Sequence, residues 1–474
     1  PDARRPHPLK TVQGLRMELQ IGEWSFDAIG TEKERGSVLQ IVGFEFLRTF
    51  PTIPRSAMAS FLDCLDKGYL RNDYHSSVHA AEMCNAFFCL VNNTSIWTLS
   101  DLSNCSCISM IIAALGHDVG HFGRNNVFLI SSRHPLAITY NDRSVLENFH
   151  TATLMRLLDE EHGDESEKKV LSGFTADQLS QARKLMIELI LATDTQQHLA
   201  DLSAFRVRLG ADGFDPLTVP ADQQQTLCML FRAADISHSA KDWRIHEEFS
   251  KRVTDEFHAQ GDEEKLMGLK VSPLCDREGF AMASSQIGFL TFICLPTWRE
   301  IVRLEDLIFV QSARKHRSRK STDRASSRQT VSSKKPLAAA AKGSKDPRAS
   351  SRTNSQLIGV VPGTMPSGPA AGGSKESLSQ TLGRKGTGGN ELGRTRWTED
   401  TCMLQCERNL DEWRSRRSDA PVQAVTPPPI PEDEPEAESL RDVLSSPTDM
   451  ASSCPGVPPG AVSPGVGGAS PEPY

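Results

Sequence analysis

Six side chains stand at spacings that can do chemistry. They are His75 and His79 in the run Tyr74-His75-Ser76-Ser77-Val78-His79, the pair His117-Asp118 with His121 one turn on, and a lone Asp235. Histidines four apart in an α-helix lie on one face, so His75 and His79 are expected to address one site. His117 and Asp118 follow the apolar run Ile108 to Leu115, which reads as a buried helix delivering two polar groups to its end. Asp235 has the same setting, after Leu227-Cys228-Met229-Leu230-Phe231 and Ala233-Ala234. A buried imidazole or carboxylate has to be paired, hydrogen-bonded or metal-bound to offset its desolvation. Two His and two Asp make a mixed nitrogen and oxygen ligand set that suits Zn²⁺ and, through carboxylate and water, Mg²⁺ or Mn²⁺. Taken singly, each residue reads more simply as a core or surface polar group; as a set that reading is poor.

A His-Asp pair closing an apolar helix, with further histidines placed to join it, is the signature of HD phosphohydrolases. More of the chain carries a closer likeness: Tyr140-Asn141-Asp142-Arg143-Ser144-Val145-Leu146-Glu147-Asn148-Phe149-His150, Ala192-Thr193-Asp194, Ala234-Asp235-Ile236-Ser237-His238, Ser272-Pro273-Leu274-Cys275-Asp276 and Gln286-Ile287-Gly288-Phe289. In order and spacing these pieces, from about Trp24 to residue 310, resemble the catalytic domain of class I 3′,5′-cyclic-nucleotide phosphodiesterases. Ile236-Ser237-His238 and the stretch from Gly261-Asp262 to Asp276-Arg277 are most similar to its calmodulin-regulated branch.

The resemblance implies hydrolysis of cAMP and/or cGMP to the 5′-monophosphate at two divalent metals. One metal, Zn²⁺ in the family, would be held by His79, His117, Asp118 and Asp235. The other, usually Mg²⁺ and alternatively Mn²⁺, would take Asp118 and otherwise water, with His121, Glu147 and Thr193 holding those waters. His75 is the general-acid candidate, since imidazole titrates near physiological pH and can protonate the departing O3′. Gln286 and Phe289, three apart on one helix face, match the residues that hydrogen-bond and stack on the purine; Val253 matches the opposite wall, and Tyr74 and His238 line the same pocket. Read without the resemblance, Gln286 and Phe289 are ordinary core packing. Two positions depart from the pattern: Phe149-His150 stands where His-His is usual, and Ser239 where Pro is usual, neither touching an expected ligand. His134, His162, His198 and His258 read as surface or packing residues. Two alternatives stay open, an HD-type phosphohydrolase of another nucleotide and a catalytically silent cyclic-nucleotide-binding scaffold.

The elements that must position these residues read as helices throughout. Val38, Ile41, Val42 and Phe46, then Met58, Phe61, Leu62 and Leu65, recur at helical spacing, with Pro51 and Pro54 between them. Helices are expected over 80–97, 103–116 and 181–193, with Asn141-Asp142 capping a helix that carries Glu147 and another ending near Gly261. No stretch alternates with period two, so the fold class is all-α, a compact multi-helix domain.

The chain has 474 residues, a formal net charge of −7 and 38% hydrophobic residues, low for a wholly folded chain of this length. Eleven Cys without a C-x-x-C pair suit free thiols in a reducing compartment. The chain opens on Pro1, which reads as a fragment or processed form whose upstream regulatory region is missing. No signal peptide and no apolar run near the roughly 20 residues of a membrane span are visible, so a cytoplasmic setting is expected, with tethering through a missing region left open. We divide the chain into a lead-in (1–20), a catalytic domain (21–314) and a mostly disordered tail (315–474). From Arg314 to Arg352 there are thirteen Lys/Arg against two acids, then Gly/Ser/Pro-rich sequence and Pro427 to Pro431 with an acidic run. No nucleic-acid partner is expected; the basic block suits anionic membrane or a regulatory partner, Arg324-Ala325-Ser326-Ser327 a kinase, and Pro427 to Pro431 an SH3-like groove. A solvated linker is the simplest reading of the tail, and an oligomer is compatible with the sequence. One island, Trp397 to Arg417, has Met403, Leu404, Leu410 and Trp413 at helical spacing.

Overall fold

The computed structural model describes residues 18–100, 102–159, 169–331 and 396–417. Among them there is no strand. The helices in chain order are α1 (Ala28–Arg35), α2 (Val38–Leu47), α3 (Arg55–Gly68), α4 (Ser77–Asn93), α5 (Ile96–Leu99), α6 (Asn104–Gly116), α7 (Asn126–Ser131), α8 (Pro135–Thr139), α9 (Val145–Asp159), α10 (Ala176–Leu191), α11 (His198–Leu209), α12 (Pro220–Asp235), α13 (Trp243–Leu266), α14 (Met282–Phe289), α15 (Leu295–Val331) and α16 (Leu404–Ser415). Among the described residues no helix is long and apolar enough to cross a membrane.

Helices α4 and α6 form the centre and are buried almost all round: α6 is largely apolar on every face, and α4 adds a buried polar stripe, His79, Glu82 and Asn85, whose members are paired, Glu82 with Lys241 and Asn85 with the Gly22 N–H. α2 and α10 flank α6, and α12 lies along α4. Caps fix where the site-bearing helices begin. Ser103 accepts from the Ser106 N–H (3.0 Å) at the head of α6, and Pro220 opens α12, where a missing N–H has no cost. α9 starts at Val145 rather than at the expected Asn141-Asp142, because both of those residues have positive φ. Its cap comes from elsewhere: the Asn126 side-chain oxygen accepts the Leu146 N–H (2.9 Å).

α13 continues past Gly261 to Leu266. A Cβ at Gly261 would lie 1.9 Å from the Cys275 carbonyl oxygen, so this glycine admits the 272–275 loop onto the helix rather than ending it. A π-helical turn (Leu290–Cys294) joins α14 to α15. α15 runs on to Val331, beyond the expected boundary at 314 and through Arg324-Ala325-Ser326-Ser327. Lys, Arg, Ala and Gln sustain a helix there, and the first proline is Pro336. The expectations for 160–166, for 332–395 and for Pro427 to Pro431 lie outside the described residues.

The 397–417 island is helical, and it belongs to the same structural unit as the helices before it, so the domain extends to Arg417. Its first backbone N–H groups, of Trp397 and Thr398, donate to the Glu305 carboxylate (3.0 and 2.9 Å), which favours a helix N-terminus by charge as well. Trp397 meets Trp24 edge-on at 5.4 Å, and the Asn409 amide donates to the carbonyls of Ser239 and Lys241 (both 2.9 Å). Cys402, Cys406, Leu410 and Trp413 are buried in the same contact. Deleting 396–474 is therefore expected to abolish cooperative unfolding in a calorimetric scan. Leu410→Ala should destabilise the domain by about 2–5 kcal/mol in denaturant titration.

Candidate metal and nucleotide site

Three helix ends meet at one point. His117 follows the last residue of α6, Asp235 is the last residue of α12, and His79 lies in the first turn of α4. Tyr69 fixes the His-Asp turn: its hydroxyl donates to the Leu115 carbonyl (2.9 Å) and accepts the Asp118 N–H (3.3 Å). His117 Nδ1 donates to the Ala114 carbonyl (3.0 Å), which aims Nε2 at Asp118 Oδ2 (3.1 Å) and Asp235 Oδ1 (3.4 Å). His79 Nε2 lies 2.9 Å from Asp235 Oδ1 and 3.7 Å from Asp118 Oδ2. Ligand atoms of His79, His117 and Asp235 all fall within 4.8 Å of one another.

This cluster asks for positive charge. Burial by itself would hold the His117 pKa down, but the Asp118 and Asp235 carboxylates outweigh it and raise the value well above the ordinary 6.5. Buried His117 Nε2 has no hydrogen bond of good geometry, so in a neutral imidazole its lone pair faces two anions. A divalent cation satisfies all four groups at once, and the donor set fits one.

Beyond Asp118 the expected outer residues gather. His121 stacks on His75 (4.0 Å between ring centres, 18°) and accepts the Gly123 N–H at Nδ1 (3.0 Å), which leaves its proton on Nε2. Glu147 is held by the Asn126 amide (3.0 Å), and burial followed by the Asp194 charge raises it to about 7. The Thr193 hydroxyl donates to the Ile190 carbonyl (2.8 Å).

His75 is not on the helix with His79. It sits in the turn ahead of α4, with Ser76 extended at the cap, and the two rings are 6.0 Å apart at 84°. The reason is Glu256 on α13, whose Oε2 accepts the backbone N–H groups of Tyr74 and His75 (both 3.1 Å). Its Oε1 takes the His75 Nδ1 proton, so Nε2 is the atom left for chemistry. Burial opposes a charge on His75, but Glu256 overcomes it and raises the pKa to about 9.

The residues expected to line the base slot stand on α13 (Val253) and α14 (Gln286, Phe289). Buried Gln286 receives a hydrogen bond at Oε1 from the Ser250 hydroxyl (3.1 Å). Phe289 and Val253 are half-buried. The His238 ring lies parallel to Phe289 (5.9 Å, 13°) and edge-on to Tyr74 (5.9 Å), and Tyr74 in turn leans over His79 at 4.6 Å. Tyr74 thus joins slot and metal cluster.

Sequence reasoning missed several contributors. Glu256 is one acid among many on α13 and no local pattern marks it. Tyr69, Asn126 and Ser250 likewise act across long separations. His150 stands closer than expected: its Nδ1 donates to the Val119 carbonyl (2.9 Å) and its Nε2 lies 3.8 Å from Asp118 Oδ1. Burial lowers its pKa to about 4, so that nitrogen carries a lone pair. Phe149 packs against Phe122, and Ser239 Oγ accepts the Trp298 indole N–H (3.2 Å). His198 is a buried packing residue 3.1 Å from Thr297 Oγ1, and His162 lies outside the described residues.

The sequence profile of the family described as 3′5′-cyclic nucleotide phosphodiesterase matches residues 74–310. A probable 3′,5′-cyclic phosphodiesterase of Caenorhabditis elegans is 36% identical over 286 residues, which are 59% of this chain and 41% of that protein. The dual 3′,5′-cyclic-AMP and -GMP phosphodiesterase beta of Plasmodium falciparum is 33% identical over 64% of this chain and 26% of its own length. The human dual specificity calcium/calmodulin-dependent 3′,5′-cyclic nucleotide phosphodiesterase 1B is 35% identical over 58% of this chain and 50% of its own. The chain therefore spans between about a quarter and a half of these curated relatives.

Two outcomes follow from the geometry. Glu256→Gln removes the strongest opposition to the burial of His75 and leaves only the weaker pull of Asp118 and Asp235, so its titration midpoint, read by NMR, should fall by about 1–3 units; an unchanged midpoint would remove Glu256 from the role assigned to it. Zinc added near neutral pH to metal-stripped protein should displace about one proton from the His117 cluster, seen as a binding heat that depends on the buffer's ionisation enthalpy. Asp235→Asn should abolish that binding.

Proposed function

The chain belongs to the 3′5′-cyclic nucleotide phosphodiesterase family, and from that premise we propose that it hydrolyses cAMP and cGMP to their 5′-monophosphates with divalent metals. The observation that carries the reading is the convergence of His79, His117, Asp118 and Asp235 beside a slot that presents Gln286.

In this reading His79, His117, Asp118 and Asp235 hold Zn²⁺, while Asp118 also serves Mg²⁺ or Mn²⁺, with His121, Glu147 and Thr193 around its waters. Cations at such a centre lower the pKa of water and draw charge from phosphate oxygens. Water, giving up a proton to solvent, adds at phosphorus in line with the P–O3′ bond, that bond breaks, and O3′ takes a proton. His75 supplies it from Nε2: held protonated by Glu256, it is an acid at neutral pH.

Phe289 and Val253 sandwich the base, and Gln286 bonds its edge. Ser250 favours dual use. A hydroxyl can donate to the amide oxygen or, turned over, accept from the amide nitrogen, so it supports Gln286 in either orientation. Adenine and guanine ask for opposite orientations at that edge. The names of two relatives, which describe them as dual in specificity, agree with this.

The deciding measurement is hydrolysis of cAMP and cGMP side by side, with and without chelator, and with products separated. A 5′-monophosphate from both substrates that disappears on chelation is the expected result. Gln286→Ala should lower kcat/KM for both nucleotides about tenfold and leave a base-free phosphodiester untouched. Equal loss on every phosphoester would favour a general HD phosphohydrolase, and tight binding without product a silent scaffold.

A further inference from the structure

The last helix reaches the slot through two histidines. Trp413 on α16 donates its indole N–H to His246 Nε2 (2.8 Å), and His246 Nδ1 lies 3.2 Å from His238 Nδ1. All three side chains are buried. The His238 ring stands beside Phe289, Phe249 and Tyr74, in the wall of the slot.

An indole nitrogen can only donate. His246 Nε2 must therefore offer a lone pair, and the proton of the neutral ring sits on Nδ1. That proton points at His238 Nδ1, which must accept, so His238 carries its own proton on Nε2. Neither ring can take a second proton without setting N–H against N–H. The environment agrees: burial lowers His246 to about 3, and burial followed by the His246 charge holds His238 well below its ordinary value. The His238 bond to His246 is made at Nδ1, so Nε2 is the ring nitrogen left for the slot.

We propose that Trp413 is a positioning residue for substrate recognition, which acts through His246 to hold His238 as a fixed Nε2–H donor for an acceptor atom of a bound purine. The substrate part rests on the function proposed above; the proton's position does not. A contact 167 residues away thereby sets the polarity of one slot atom.

The test uses the full chain with ¹⁵N-labelled histidine. Long-range ¹H–¹⁵N spectra of the wild type should show His238 with a protonated Nε2 and a bare Nδ1, unchanged between pH 6 and 9. Trp413→Phe keeps a ring in the contact but removes the N–H; it should give mixed His238 tautomers and raise KM for cyclic nucleotide about threefold to tenfold, with kcat within about twofold. His246→Gln restores the relay, since its amide can accept from the indole and donate to His238, and should keep both the spectrum and KM near wild type. A merely structural Trp413 would instead lower kcat and melting temperature together and leave the tautomer alone. The proposal is overturned by a wild-type His238 protonated on Nδ1, or by Trp413→Phe with wild-type spectrum and KM. Should the wild type hydrolyse no cyclic nucleotide, the functional reading falls while the spectrum still decides the tautomer.

Discussion

His117 gives its Nδ1 proton to the carbonyl of Ala114, and its other nitrogen then faces Asp118 and Asp235 across about 3 Å of buried space. Such a grouping is tolerable only with a cation in it or a proton on it. Two of its members sit at helix C-termini, where the backbone carbonyls add negative potential and the preference for a cation grows. Most of the fold serves to hold that arrangement in place. α4 and α6 are buried almost all round because they deliver polar groups to an interior point, and the Tyr69 hydroxyl ties down the turn after α6.

In the proposed function, recognition and proton delivery would share one element. His246, Ser250 and Val253 follow one another along α13 at helical spacing, and Glu256 comes three residues later. The first three address the slot and the fourth charges His75. A rotation of this helix would disturb base and acid together, and the 272–275 loop seated on Gly261 opposes it. Tyr74, between His79 and His238, closes the same circuit from the other side.

Legibility in the sequence followed range. The all-α class, the His-Asp turn at the end of α6 and the delivery of Asp235 by α12 are local patterns of period and polarity, and they were readable. The helical island at 397–417 was readable too, but not its partner, because nothing near Trp413 says that it meets His246. The composition break after residue 314 looked like the end of a domain for the same reason. The placing of His75 on a helix with His79 failed because a carboxylate 181 residues away claims the backbone there. α9 begins late because its cap is lent by Asn126, twenty residues upstream. Side chains that act across the fold leave no local trace.

α16 returns to the domain only after residues 332–395. Closing a loop costs free energy that grows with the logarithm of its length, about 0.6 kcal/mol for each doubling. Burial of Leu410, Trp413 and the two cysteines of the island easily exceeds that. Synthesis imposes an order on the same topology, since the chain emerges from its N-terminal end. A nascent chain halted anywhere in that connection already carries His79, His117, Asp118, Asp235 and the complete His75–Glu256 pair, yet lacks the helix whose Trp413 meets His246. The residues emerge first, and the packing that holds them in one cooperative domain is completed only by the final helix.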